Sequence, residues 1–289
     1  MNSNSAVVSG ASGVIGSGVL SALRERGYSV LGVSLRKSDS SDLYEILMKV
    51  KPRFFFHCAA VLSDLDPLYQ YTENTRMIAE VAAAIGRMPI GLRPRLVNIS
   101  SAAEIGDPGE RLVAESYICK PLSHYGLSKL CQTEIAISSA RIYGFSCVCP
   151  RVFNIIGGPS EKNLFNQWIE QIKKIEGAGA AIQVGHIDIK RDFLVYDQVI
   201  EYIVSLALNS QIDGVVNVCS GEGIVLNDLL ERIAVVRGVV ISPVFNPIFA
   251  KGNPALSVVG DPAILEAAVG GALNFRRAIE EHISRALLS

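Results

Sequence analysis

Tyr125 and Lys129 stand four residues apart in the run Tyr125-Gly-Leu-Ser-Lys129. On a helix, that spacing puts a phenol and an ammonium on one face. A free tyrosine has a pKa near 10, too high for acid–base work at neutral pH. A nearby cation such as the lysine favours the phenolate and is expected to lower that value. The bland alternative is an amphipathic helix with an exposed lysine. Upstream lies Asn98-Ile-Ser-Ser101-Ala-Ala-Glu-Ile-Gly106. A serine at the carboxyl end of a strand points into the crevice where open α/β sheets bind ligands. Its hydroxyl can hydrogen-bond a carbonyl or alcohol oxygen. Ser100 and Ser101 are neighbours, and a strand sends them to opposite faces, so spacing alone leaves both open.

The second group with chemical potential is Gly10-Ala-Ser-Gly13-Val-Ile-Gly16. It sits between a strand and a helix, the context a nucleotide-binding glycine turn requires. Glycines there permit a tight turn and close backbone approach to a pyrophosphate. The following helix start offers free N–H groups and a positive dipole end. Gly10, Ser12, Gly13, Val14, Ile15 and Gly16 are therefore the candidate cofactor contacts. The spacing is G-x-x-G-x-x-G rather than G-x-G-x-x-G.

The elements that must position these groups alternate along the chain. Strands are expected at Ala6 to Ser9, Ser29 to Leu35, Phe54 to Cys58, Arg95 to Ser100 and Ser146 to Pro150. Helices are expected at Ile15 to Gly27, Leu43 to Lys51, Asn74 to Arg87 and His124 to Tyr143. This repetition implies an α/β fold with a Rossmann-like, doubly wound parallel sheet. The solidly apolar Phe54 strand fits a sheet covered on both faces. Residues 1–155 are read as the NAD(P)-binding domain, with a return segment near 190–220 that includes Val215 to Val218. Residues 156–289 are read mainly as a smaller C-terminal substrate-binding domain.

Composition limits the function classes. The 289 residues are 49% hydrophobic and 19% charged, an ordinary globular mixture. A formal net charge of −1 gives no basic excess for a nucleic-acid partner. No apolar run approaches the roughly 18 residues of a membrane span. Met1 to Ser5 is short and polar, so a cytoplasmic location is expected. The six cysteines form no C-x-x-C pair, and no metal site is expected. Cys147 and Cys149 alternate along an apolar run and are read as packing residues.

Taken in order, these pieces resemble the extended short-chain dehydrogenases/reductases, the nucleotide-sugar epimerase, dehydratase and reductase group. The likeness runs from Ala6 to about Leu230. After the glycine turn come His57-Cys-Ala-Ala60 and Asn74. Pro121-x-x-x-Tyr125-x-x-x-Lys129 follows the paired serines. Arg151-Val-Phe-Asn154, Gly158-Pro159, Arg191-Asp-Phe193 and Asn217-Val-Cys-Ser-Gly221 complete the set. The family pattern counts back five residues from Gly106 and so selects Ser101 over Ser100. The resemblance implies a catalytic group of Ser101, Tyr125 and Lys129. It implies that Ala59 and Ala60 line the cofactor and that Val152 lies near its nicotinamide. It gives Asn154 and Arg191 to the nucleotide-sugar substrate, where a planar guanidinium suits a diphosphate. The alternative for Arg191 is an ion pair with Asp192. The resemblance also implies a homodimer through a helix bundle, with Ile78, Val81, Ala82 and Ile85 on one helix and Leu130, Ile135 and Ala136 on the other. The alternative is that these stripes only cover the sheet.

Departures from the family pattern narrow the activity. Ala102 and Ala103 stand where dehydratases place acids, and Glu104 lies one residue too late. Arg36 and Lys37 end the second strand where an NAD enzyme usually has an acid; they suit the 2′-phosphate of NADPH. Asp39 and Asp42 receive no assignment. No role is assigned to Lys162, His186, Lys251 or Asn253. His57 is read as a strand-end residue and His282 as part of a terminal helix. The subgroup most similar in these features is the NDP-4-keto-6-deoxyhexose reductases. The expected activity is NADPH-dependent reduction at C4 of a nucleotide-linked 4-keto-6-deoxy sugar. An NAD-dependent C4 epimerase and a non-catalytic NAD(P)-sensing protein are the alternatives.

Overall fold

The computed structural model describes residues 4–36, 42–62, 66–160, 163–177, 179–250, 254–271 and 275–288. Lys37, Asp39, Lys162, Lys251 and Asn253 lie outside the described residues. The first half runs β1 (Ser5–Ser9), α1 (Val14–Glu25), β2 (Ser29–Val33), α2 (Leu43–Val50), β3 (Phe54–His57), α3 (Pro67–Arg87), β4 (Arg95–Asn98), β5 (Ser100–Ser101), β6 (Leu112–Val113) and α4 (His124–Tyr143). The second half runs β7 (Cys147–Val152), β8 (Asn154–Ile156), α5 (Leu164–Lys173), β9 (Gly179–Val184), β10 (Lys190–Val195), α6 (Tyr196–Leu208), β11 (Gly214–Val218), β12 (Gly223–Val225), α7 (Leu226–Arg237), β13 (Val240–Phe245), β14 (Ser257–Gly260), α8 (Ala263–Val269) and α9 (Phe275–Leu288).

The main sheet has the order β2-β1-β3-β4-β7-β11, with β5 extending the pairing beside β7. Every pairing in it is parallel. The chain moves from β1 outward to β2, then crosses to β3 on the other side. That reversal opens a crevice at the carboxyl ends of β1 and β3, where such sheets bind ligands. Both faces of the sheet are covered. Phe54 and Phe56 enter one core with Ala6, Val8, Val97, Val148 and residues of α1 and α6. Phe55, between them, enters the opposite core with Val7, Leu96, Cys147, Cys149 and residues of α2, α3 and α4. The period of two is the pleat, and burial on both sides explains why the strand reads as continuously apolar.

A second group of elements builds a separate core from α5, β9, β10, α7 and α9, centred on the buried Trp168. Strand β10 links the two: Leu194 faces the sheet core, and Phe193 and Val195 face the Trp168 core. Helix α6 then returns to the main sheet through Val199, Ile200, Ile203 and Val204. Among the described residues, no helix is long and apolar enough to cross a membrane.

Three boundaries and one surface differ most from expectation. Strand β2 ends at Val33, not Leu35, so Arg36 lies in the segment after the strand. Helix α3 starts at Pro67, not Asn74, because Asp66 accepts a hydrogen bond from the Tyr69 N–H at 2.8 Å and Pro67 takes the first turn. Strand β7 continues past Pro150 to Val152; the proline withholds a donor but stays in register with Val216. Ile78, Val81, Ala82 and Ile85 are buried within the chain, between α3, α4 and the sheet, so this stripe is not a subunit surface.

Candidate active site

The Gly10 turn leaves β1 with Gly10 at φ +68, a left-handed conformation that favours glycine. A Cβ there would lie 2.6 Å from the backbone N of Ala59. A Cβ on Gly16 would collide with the Gly10 carbonyl oxygen. The two glycines thus let α1 start directly against the ends of β1 and β3. Gly13 caps α1 without a side-chain hydrogen bond, so the first-turn N–H groups have no capping side chain. A groove of about 1260 Å³ opens here, lined by Gly10, Ser12, Gly13, Arg36, Ala59 and Ala60, among others. This geometry fits a dinucleotide: a backbone cradle a Cβ would fill, facing a helix start. Val14 is also tied to the rest of the fold, since its carbonyl accepts from the Tyr196 hydroxyl at 2.8 Å. Ile15 packs against the sheet core. Arg36 is exposed at the mouth of the groove, and its backbone N–H donates to Ser34 Oγ at 3.3 Å.

Ser101, Tyr125 and Lys129 converge on the carboxyl end of β5 and the first turns of α4. Ser101 ends β5 and its Oγ accepts from the Ala103 N–H at 3.2 Å. Tyr125 lies near enough to Ser101 for the serine hydroxyl to favour its phenolate. Ser100 turns the other way and donates to Glu104 Oε1 at 2.5 Å. This separates the two serines as the strand pleat requires. Val152 is buried at the end of β7, in register with Ser101.

Lys129 is buried, and its ammonium donates to the Ile99 carbonyl at 2.5 Å and to Gln132 Oε1. Burial lowers its pKa to about 8, against the raising influence of Glu104 and of Cys58 and Cys149. Its charge reaches the groove. His57 is held down to about 3, first by burial and then by Lys129. Cys58, which lines the groove, is pushed up to about 12 by burial, with Lys129 opposing. His57 ends β3 and its Nδ1 lies 2.8 Å from Ser9 Oγ.

One expectation is reversed. The phenol of Tyr125 is raised, not lowered: burial drives it up, the Ser101 hydrogen bond opposes, and Glu104 adds to the rise. Lys129 is not among the groups that move it. The main physical reason is burial of the phenol; the ammonium is meanwhile engaged by Ile99 and Gln132.

The remaining predicted residues lie on β8 and β10. Asn154 donates to the Asp192 carbonyl at 2.9 Å. The Arg191 guanidinium donates to the carbonyls of Lys190 and Ala255 at 2.7 and 3.0 Å. The Asp192 carboxylate is taken instead by Ser220, Gly221 and Gly260. Successive residues of a strand face opposite ways, which is why the Arg191–Asp192 ion pair is not formed. Burial lowers the Arg191 pKa, and Asp107 opposes. His186 packs on Phe245 with ring centroids 5.8 Å apart.

Three supporting residues escaped the sequence reading. Asn74, noted only as part of a motif, is fully buried; it brackets Val61 through Oδ1 and Nδ2 and also donates to Ser128 Oγ at 3.0 Å. It thereby ties the loop after β3 to the helix of Tyr125. Gln132 engages Lys129, and Thr133 donates to Glu104 at 2.9 Å. A polar residue on an otherwise core-facing side of α4 was the available signal.

A sequence model of the NAD dependent epimerase/dehydratase family matches residues 6–219. The GDP-6-deoxy-D-talose 4-dehydrogenase of Aggregatibacter actinomycetemcomitans is 25% identical over 293 aligned residues, covering 98% of each chain. The GDP-6-deoxy-D-mannose reductase of Pseudomonas aeruginosa is 28% identical over 186 residues, covering 62% of this chain and 61% of its own. Among solved structures, the RMD of Pseudomonas aeruginosa complexed with NADPH superposes with a TM-score of 0.80 at 22% identity, covering 99% of this chain and 97% of that one. The UDP-glucose 4-epimerase of Thermotoga maritima with UDP-glucose gives 0.83 at 21% identity, covering 98% and 97%. With the family match spanning most of the chain, from the glycine turn through β11, this protein belongs to the NAD dependent epimerase/dehydratase family and is an NAD(P)-dependent oxidoreductase.

Proposed function

We propose that the protein reduces the C4 ketone of a GDP-linked 4-keto-6-deoxyhexose with NADPH. The observation that carries this reading is the convergence of Ser101, Tyr125 and Lys129 at the carboxyl end of β5. The phenol holds its proton at neutral pH and can release it to the forming alkoxide, which is the stronger base. In the proposed reaction Ser101 hydrogen-bonds the carbonyl oxygen and orients it. Tyr125 protonates that oxygen as the C4–H bond forms. A bound NADPH supplies the hydride. Lys129, with two of its three donors used internally, offers the third to the cofactor ribose. The Gly10 turn, Ser12, Ala59 and Ala60 hold the dinucleotide, Val152 borders its nicotinamide, and Arg36 pairs with its 2′-phosphate. Asn154 and Arg191 hold the sugar nucleotide.

The choice of substrate leans on the two curated relatives, whose names specify GDP-linked 6-deoxyhexoses and, in one case, position 4. A C4 epimerase would use the same residues with retained NAD; a cation rather than an acid at position 36 argues for the reductase. A non-catalytic sensor has no evident need to keep all of Ser101, Tyr125 and Lys129. The test is consumption of NADPH over a panel of nucleotide-linked 4-keto sugars. Turnover confined to GDP-linked 4-keto-6-deoxyhexoses is expected. Interconversion of C4 epimers with a copurifying NAD and no net NADPH consumption would overturn it.

We further propose a homodimer that uses exposed residues of α4, such as Leu127 and Ile142, in place of the buried α3 stripe. A monomer mass by light scattering at micromolar protein would contradict it.

A further inference from the structure

Glu104 is a fully buried acid immediately beneath the Ser101 turn. Its Oε1 accepts from Ser100 Oγ at 2.5 Å, from the Ser101 N–H at 3.3 Å and from Thr133 Oγ1 at 2.9 Å. Its Oε2 faces Arg151 Nε at 3.6 Å. These partners come from three elements: β5, α4 and β7. Thr133 lies four residues after Lys129 and eight after Tyr125, on the same side of α4. Arg151 continues the connection, since its Nη1 donates to Asn217 Oδ1 at 3.4 Å. Asn217 in turn donates through Nδ2 to the Val113 carbonyl at 2.7 Å and through its N–H to Glu115 at 2.9 Å.

We propose that Glu104 is a positioning residue for the Ser101–Tyr125 pair: one buried carboxylate joins the Ser101 turn to the α4 helix and so sets where the two hydroxyls meet. The inference rests on reading that pair as the proton-donating group. The carboxylate also acts by charge. It pushes the phenol of Tyr125 and the ammonium of Lys129 upward, both from α4. The other groups facing it are Arg151 on β7 and Cys119 in the segment before α4, whose thiol it also raises. Loss of the charge therefore lowers the Tyr125 titration, and loss of the hydrogen bonds loosens the turn.

The competing role is purely structural: Glu104 would exist only to neutralise buried Arg151. Removing one partner of a buried pair is costly, whereas removing both can be nearly neutral. Glu104→Gln alone is thus expected to lower the melting temperature. The double variant Glu104→Gln/Arg151→Met is expected to regain most of it. Two readouts on the double variant then decide. The Tyr125 phenolate is followed by its ring-carbon resonance, assigned by its loss in Tyr125→Phe, and needs no substrate. Expected is a midpoint lower than wild type, with kcat down about tenfold and cofactor affinity unchanged within about twofold. A double variant with wild-type phenol titration and wild-type kcat would overturn the proposal. Thr133→Val supplies a separate check on the link to α4. It is expected to lower kcat about threefold with no loss of cofactor affinity; unchanged kcat would overturn the link. Absence of all turnover in the wild type would instead count against the reductase reading, and the phenol titration would still judge Glu104.

Discussion

The Tyr125 end and the Arg36 end of the site are held in opposite ways. At the Tyr125 end, the proposed chemistry rests on side chains held by protein partners: Ser101, Glu104, Gln132 and the Ile99 carbonyl. At the Arg36 end, the side chain is exposed beyond the end of the edge strand β2, and the protein supplies only a place for it. Between them, the Gly10 turn works through backbone alone. Buried groups have their geometry and protonation fixed before any ligand arrives. An exposed group acquires its geometry from the ligand. The chemistry should therefore be intolerant of change at one end, while cofactor choice should be adjustable at the other.

The largest effect is expected at Tyr125. Tyr125→Phe should lower turnover by roughly 10²-fold or more and leave cofactor affinity nearly intact, since the hydroxyl serves proton transfer alone. Steady-state rates beside NADPH titrations of the same protein check this; near-native turnover would remove Tyr125 from the mechanism. Arg36→Asp should have its effect in cofactor choice. A well-made charged hydrogen bond contributes about 1.5–3 kcal/mol, so NADPH should be favoured over NADH by about ten- to a hundredfold and the variant should abolish or reverse that preference. Equal dissociation constants for the two cofactors in the wild type would remove Arg36 from the site.

At the Gly10 turn, Gly10→Ala should cost roughly 1–3 kcal/mol of stability, because a Cβ meets Ala59 and the left-handed backbone is strained. Chemical denaturation with and without NADPH measures it, and the ligand-dependent stabilisation should shrink along with the intrinsic stability. A further effect, confined to alkaline pH, concerns Lys129. Its folded pKa of about 8 lies below the ordinary 10.5, so the unfolded chain binds more protons between those values. The contribution of Lys129 to stability therefore rises with pH across that window. Below about 8 both states are protonated and the cost of burying the charge is fully present. Lys129→Met should flatten this rise in a pH series of denaturation midpoints. An unchanged slope would mean that the ammonium is less constrained than its burial implies.

The same contrast explains what was legible in the sequence. The Gly10 turn could be read because only glycine satisfies its backbone, which leaves a mark at fixed positions. The alternation of strands and helices could be read because the cores on the two sheet faces impose a period. Helix α3 was placed too late because its start depends on Asp66 and Pro67, a cap whose meaning is positional rather than periodic. The direction of the Tyr125 shift could not be read, since spacing reports that Lys129 is near but not how deeply the phenol is buried or that Ile99 and Gln132 engage the ammonium. Glu104 was visible only as an acid out of place. Its partners Ser100, Thr133 and Arg151 come from scattered positions, and no local pattern joins them. The dimer stripe on α3 failed for a related reason: helical spacing of Ile78, Val81 and Ile85 marks a buried face without saying what buries it.

The central claim is net hydride delivery to the C4 ketone of a sugar nucleotide, completed by Tyr125. It is tested most directly by supplying NADPH deuterated at the transferable position together with a GDP-linked 4-keto-6-deoxyhexose and locating the label. One deuterium at C4 per NADPH consumed is the expected result, with label transfer slowed in Tyr125→Phe by the same factor as turnover. Interconversion of C4 epimers without incorporation of cofactor deuterium would contradict it.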